Sequence, residues 1–111
     1  MDKLIRNLLK KIENYSSKEI IVSDYCKEKM QQRNVEESLV ISTLFSKSLC
    51  YAEEQLKEFQ GKPEKRYKLI FPISSKYYLI IILTFNQKAL KVMNVIKTSK
   101  RLDQLWKKNK C

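Results

Sequence analysis

Between residues 65 and 98 the chain reads KRYKLIFPISSKYYLIIILTFNQKALKVMNVIKT, three apolar runs split by two short polar breaks. The middle run, Tyr77–Phe85, has no polar side. Tyr77, Leu79, Ile81, Leu83 and Phe85 take one set of alternate positions, and Tyr78, Ile80 and Ile82 take the other. Successive side chains of a strand point to opposite faces, so a run apolar at both parities must be covered on both. It is therefore read as a central strand, and it is too short to cross a bilayer as a helix. The first run alternates instead: Arg66 and Lys68 share one side, while Tyr67, Leu69, Phe71 and Ile73 take the other. Residues 74–76 and 86–88 carry the Ser, Asn and Lys chemistry of hairpin turns. Together these features predict a three-strand antiparallel meander. Pro72, which has no N–H to donate, belongs at the end of its first strand or on an edge.

Upstream, residues 2–15 place Leu4, Ile5, Leu8, Leu9 and Ile12 at helical spacing, with Lys3, Arg6, Lys10 and Lys11 outside the stripe. The plain expectation is a helix packed on the domain. A dimerisation arm or a membrane-surface helix are the sharper ones, the latter weakened by the lack of Trp or Phe. Residues 19–23 (EIIVS) read as a short strand. Ser23 or Asp24 can cap a helix over residues 25–33, with Cys26 and Met30 facing the core. Asn34 and Glu37 have capping-box spacing. They are expected to start a second helix that runs to Phe45 and buries Val35, Leu39, Val40, Leu44 and Phe45. Residues 48–56 read as another strand and residues 57–64, with the only Gly, as a polar loop. After the meander, Ser99 caps a basic helix with Leu102, Leu105 and Trp106 on one face. The predicted architecture is α+β in one domain, residues 1–111. An extra N-terminal helix is followed by β-α-α-β-β-β-β in a mainly antiparallel twisted sheet, then by the basic C-terminal helix.

Charge narrows the choice of partner. Lys and Arg number 23 against 12 Asp and Glu, a formal net charge of +11. An excess this large on a small domain suggests a polyanion, nucleic acid or an anionic membrane surface, over the plain alternative of a lysine-rich surface that aids solubility. The amino terminus has charges threaded through it and no small-residue cleavage site, so no signal peptide is read there. Cys26, Cys50 and Cys111 are odd in number and widely spaced. Reduced thiols and a cytoplasmic setting are the expectation. With no His in the chain, neither a zinc site nor any cofactor is expected.

The order of elements from Ile20 onward resembles the RelE/ParE-type toxin superfamily, near a branch related to the BrnT toxins. That branch carries a His-Ala-x-x-Arg-Met-x-x-Arg-Gly-Ile signature, matched here by Tyr25, Cys26, Lys29, Met30, Arg33, Asn34 and Val35. Thr84 and Phe85 match its Thr-Val-Tyr-like strand ending. About three quarters of the chain is covered. Two departures stand out: Tyr25 occupies the His position and Lys29 the first Arg. The resemblance implies RNA or ribosome-bound mRNA as substrate, a metal-independent endoribonuclease activity, and an antitoxin partner that holds it inactive.

The absence of His removes His-pair nucleases and every Ser-His or Cys-His nucleophile. No glycine-rich phosphate loop occurs. Glu53, Glu54 and Glu58 cluster, but Glu53 and Glu54 fall on opposite faces of a strand, an awkward pair for one metal. What remains is RNA cleavage by basic and phenolic groups. Arg offers a fixed fork to the phosphorane oxygens, and Lys or Tyr can move protons if its pKa is brought toward neutrality. The catalytic candidates are Arg66, Lys68, Lys97, Arg101 and Tyr67, with Tyr51 near them. Lys91, Lys100, Lys107, Lys108 and Arg33 are the candidate nucleic-acid contacts. Lys91 and Lys97, an even number apart, are expected to share a face. For each cation, ordinary solvent exposure is the competing role; for Arg33 it is fixing the corner between two helices, and for Tyr25 packing over the sheet. The rival functions are a non-catalytic nucleic-acid-binding module, with DNA an alternative polymer, and an interaction protein or homodimer using its first helix.

Overall fold

The computed structural model describes residues 2–99. Its elements are α1 (Lys3–Glu13), a 3-10 turn (Ser17–Glu19), β1 (Ile20–Val22), α2 (Asp24–Gln32), α3 (Glu37–Leu44), β2 (Tyr51–Phe59), β3 (Lys62–Pro72), β4 (Tyr77–Phe85) and β5 (Leu90–Ser99). The class is α+β. The strands form one sheet in the order β1-β5-β4-β3-β2. β2 to β5 pair antiparallel, and β1 runs parallel to β5, so the sheet is mixed. β4 takes the middle position that its two apolar sides demand. The basic C-terminal helix expected after Ser99 lies outside the described residues.

Local chemistry sets the helix ends. The Asp2 carboxylate accepts from the Leu4 N–H at 2.7 Å, and Ser23 Oγ accepts from the Cys26 N–H at 3.1 Å. These two side chains satisfy donors that the first turns of α1 and α2 leave free. Asn34 does not open α3, contrary to the capping-box expectation. It takes a left-handed φ of 55°. The Val35 N–H then reaches back to Met30 O at 2.9 Å. That bond, with Val35 and Met30 both buried, is the Schellman ending of α2, and Asn tolerates the left-handed position it needs. α3 begins later, at Glu37, and ends before Phe45, which is 36 % exposed where burial was expected.

Two further boundaries differ from the prediction. Ser46 Oγ lies 2.6 Å from Thr43 O and 2.7 Å from Ser48 Oγ. These side-chain bonds hold residues 46–48 in a turn, so β2 starts at Tyr51 rather than at residue 48. The expected loop over residues 57–64 is mostly strand. Phe59 pairs with Lys62 across a two-residue turn in which Gln60 and Gly61 both have positive φ, 52° and 77°. Two positive values match the right-handed twist of a hairpin. The polarity of this segment reflects an exposed hairpin at the edge of the sheet.

Most of the core lies on one sheet face. There Leu69, Phe71, Leu79, Ile81, Leu83, Leu90, Val92 and Val95 meet Ile5, Leu8 and Ile12 of α1, Cys26 and Met30 of α2, and Val40 and Leu44 of α3. The apolar stripe of α1 is thus consumed within the chain, as the plain reading of that helix requires. A smaller cluster, Ile70, Tyr78 and Ile80 bordered by Cys50, Tyr51 and Ile96, sits on the opposite face. Cys26 is a buried free thiol, but Cys50 is disulfide-bonded, which overturns the expectation of three reduced thiols. Spacing along the chain is silent about which cysteines a sheet brings within bonding reach. Among the described residues, no helix is long and apolar enough to cross a membrane.

Candidate nucleic-acid interface

Strand register assigns each predicted site residue to a face. Lys68 pairs with Glu53 on one side and Ile82 on the other, Arg66 pairs with Gln55, and Lys91 pairs with Thr84. Arg66, Lys68 and Lys91 therefore share the face turned away from the helices. Tyr67 pairs with Leu83 and Lys97 with Leu79, positions on the helix-covered face. Lys91 and Lys97 do not share a face. Asn94 pairs with Ile82 but Val92 with Leu83, so β5 carries one extra residue, Met93. A bulge of one residue reverses the alternation beyond it. Lys97 instead stands with its ammonium 4.7 Å from the ring centre of Tyr77.

On the open face the charges are unevenly committed. Arg66 Nε donates to Glu64 Oε1 at 2.7 Å, a pair that keeps only 20 % and 27 % of its side-chain surface exposed. Glu53, directly opposite Lys68, is occupied otherwise. Its Oε2 accepts from the Tyr51 hydroxyl at 2.9 Å and its Oε1 from Gln55 Nε2 at 3.1 Å. Ion pairs also join Lys47 to Glu13 and Lys65 to Glu54. Among the described residues, neither Lys68 nor Lys91 has a carboxylate within ion-pair distance. A lysine in that state offers its charge to an incoming phosphate without first giving up a partner. Thr84, between the Arg66 and Lys91 strands, donates its hydroxyl to Lys65 O at 2.8 Å.

The proton-transfer half of the predicted site does not assemble. Tyr67 lies on the helix-covered face in an aromatic group. Its ring is 5.6 Å from Phe85, which stacks on Tyr15 at 5.9 Å and lies 4.6 Å from the Lys11 ammonium. Burial first, and the Glu54 carboxylate after it, push the Tyr67 phenol above its ordinary value. The hydrogen bond to Glu53 pushes Tyr51 the same way. Both shifts lower the phenolate fraction near neutral pH, opposite to what a general base needs. Arg66 and Lys68 are thus together, Tyr67 and Lys97 are behind the sheet from them, and Arg101, Lys100, Lys107 and Lys108 lie outside the described residues.

The signature residues play other parts. Arg33 Nη1 donates to Val95 O at 2.8 Å and to Asn94 Oδ1 at 3.3 Å, which ties the end of α2 to the β5 bulge. Its expected role as a nucleic-acid contact gives way to this one. Tyr25 is 58 % exposed with the Lys29 ammonium 5.6 Å from its ring centre, so it neither packs over the sheet nor joins the cation row. Glu53 and Glu64 were missed as partners of the site. The Glu64-x-Arg66 spacing of neighbours on one strand face was the available signal, hidden by reading residue 64 as loop. A depression between α2 and α3, lined by Lys27, Gln31 and Glu37 among others, holds none of the candidates. No protein-family model, no curated protein and no solved structure matches this chain.

Proposed function

We propose that the protein binds nucleic acid, single-stranded RNA in the first instance, along the open face of its sheet, as a RelE-like protein that does not cleave its ligand. The observation that carries this reading is the pair Lys68 and Lys91, unpartnered among the described residues on a face that no described helix covers, in a chain of net charge +11. Arg66 adds a guanidinium whose Nε is already held by Glu64. Phosphate contacts of this kind fix a nucleic acid in place without reading its sequence. RNA rather than DNA is favoured by the resemblance to RelE-type toxins, which also makes an antitoxin protein the natural regulator.

RNA cleavage is the second reading, favoured by the gathering of Arg66, Lys68 and Lys91 on one face. Against it stand the opposite placement of Tyr67 and the raised phenols. Anisotropy of a labelled single-stranded RNA across a salt series separates the two. Binding is expected to weaken steeply with salt. Replacing Lys68 and Lys91 together by Ala is expected to lower affinity roughly tenfold and to reduce the log–log salt slope by about 1.4. Affinity unchanged in the double variant overturns the interface. Cleavage products lost in Arg66→Ala, with growth arrest on expression relieved by the same change, replace the binding reading with the catalytic one.

A further inference from the structure

The two edges of the sheet are unlike. β1, at one edge, is three residues long. β2, at the other, is nine residues long, and no described strand pairs with its outer side. A two-residue hairpin turn is closed by a hydrogen-bonded pair, here Phe59 and Lys62, so the odd-numbered residues of β2 direct their N–H and C=O groups to β3. Ala52, Glu54, Leu56 and Glu58 then direct theirs outward, a template for another strand. Leu56 is 70 % exposed there. Charges along an edge strand govern which strands can pair with it, and this edge carries Glu53, Glu54, Lys57 and Glu58. Among the described residues, Glu54 has Lys65 as its ion-pair partner, whereas Lys57 has no carboxylate within ion-pair distance.

We propose that a second copy of this chain docks antiparallel on the outer edge of β2, about a two-fold axis at Gln55, and joins the two five-stranded sheets into one. A two-fold axis perpendicular to a sheet leaves each face on its own side, so opposed residues share a parity and the axis passes through a residue position. An axis at Glu53, Glu54 or Lys57 sets that residue against its own copy, like charge on like. An axis at Leu56 sets Glu54 against Glu58 twice. The axis at Gln55 opposes no like charges. It places Lys57 opposite Glu53 of the second copy, twice by symmetry, and so gives the unpartnered ammonium a carboxylate. The outward-facing pairs become Glu54 with Leu56 and Ala52 with Glu58, each exchanging two backbone hydrogen bonds, about eight in all. The two Leu56 side chains become diagonal neighbours across the axis, within reach of each other. The apolar stripe of α1 is covered within its own chain, which leaves this edge rather than that helix for a second copy. The docking does not depend on the nucleic-acid reading.

Sedimentation equilibrium of the full chain, without nucleic acid, between about 5 and 500 µM tests this, because the mean mass of a self-associating protein climbs with concentration. A rise from monomer toward dimer is expected across that range. The Leu56 N–H points away from β3, so Leu56→Pro removes two of the bonds between copies and none within the chain. It is expected to weaken the dimer at least about tenfold while urea unfolding stays cooperative. A charge pair tests the register without touching the backbone. Lys57→Glu and Glu53→Lys each oppose like charges, and each alone is expected to dimerise at least about tenfold more weakly than the wild type. In their equimolar mixture every opposed pair at these positions is Glu with Lys, and a heterodimer within about threefold of the wild-type affinity is expected. A wild type that stays monomeric throughout, a dimer equally tight in a folded Leu56→Pro variant, or a mixture no heavier than its separate components overturns the proposal.

Discussion

The two faces of this sheet are made by the same strands and do different work. Behind β3 and β4, Leu69, Phe71, Leu79, Ile81 and Leu83 are all fully buried under helices. In front, the alternate positions of those strands divide into an apolar end, Ile70, Tyr78 and Ile80, and a charged end with Arg66, Lys68 and Lys91. A buried face can hold no free ammonium without a large desolvation cost, so a cation meant for a ligand has to come from the other parity. The comparison explains why the sequence-predicted set split: Tyr67 sits between Arg66 and Lys68 and is for that reason alone on the opposite side from both.

Neighbouring isoleucines of β4 give the sharpest test of this asymmetry. Ile81 points under the helices and is 0 % exposed, whereas Ile82 is half-buried on the front face. Ile81→Asp is expected to abolish cooperative unfolding in urea, a loss of more than about 4 kcal/mol, because the carboxylate is buried without a partner. Ile82→Asp is expected to fold and to lose about 1–2 kcal/mol. Equal losses at the two positions would erase the distinction between the faces. The apolar end of the front face comes next: Tyr78→Ala, which empties a fully buried site, is expected to lose about 3 kcal/mol by the same measurement. A loss below about 1 kcal/mol would mean that nothing presses on that cluster.

How much of this was legible depended on range. The alternation in residues 65–85 announced β3, β4 and the central place of β4, since a strand's faces are written in its own parity. The stripe of α1 was equally plain. What could not be read was any step that needed a partner strand. The Met93 bulge moved Lys97 behind the sheet through one residue of pairing with Ile82 and Leu83. Asn34 and Glu37 had the spacing of a cap, but the chain spent Asn34 on ending α2 because the Val35 N–H bond to Met30 O needed a left-handed residue there. The hairpin at Gln60 and Gly61 was hidden because Gln has no strong preference for positive φ. The pairing of parallel β1 with β5 leaves no mark on either segment.

The cysteines carry the same front-and-back contrast into pH. Cys26, behind the sheet, is fully buried, and that burial lifts its thiol from 9.0 to about 11. A folded value above the unfolded one means that the unfolded chain loses its proton first as pH rises. The stabilisation is therefore complete below about pH 9 and is lost on the way through pH 11. Between pH 8 and pH 11 the unfolding free energy is expected to fall by about 2–3 kcal/mol from this group. Cys26→Val is expected to flatten that part of the fall, leaving what the raised Tyr51 and Tyr67 phenols contribute. An identical fall in the variant would assign the whole effect to the tyrosines and to Lys65, whose ammonium the bond to Glu54 also holds above its ordinary value.

The smallest expected effect concerns the charged end alone. Glu64 holds Arg66 through Nε, the edge of the guanidinium that would otherwise help present a two-pronged fork to a phosphate. Removing the carboxylate charge with Glu64→Gln changes little in stability, about 0.5 kcal/mol, because a pair that retains part of its surface in water contributes little. It also leaves Lys68 and Lys91 untouched. If the front face binds a phosphate backbone, the variant gains a released guanidinium and loses a repelling carboxylate. Single-stranded RNA is then expected to bind up to about fivefold more tightly at low salt, with the gain fading as salt screens it. The same substitution made for a ligand that docks behind the sheet, or on the helices, would leave affinity unchanged. Glu64→Gln therefore locates the ligand on one face or the other even though the free energy at stake is under about 1 kcal/mol.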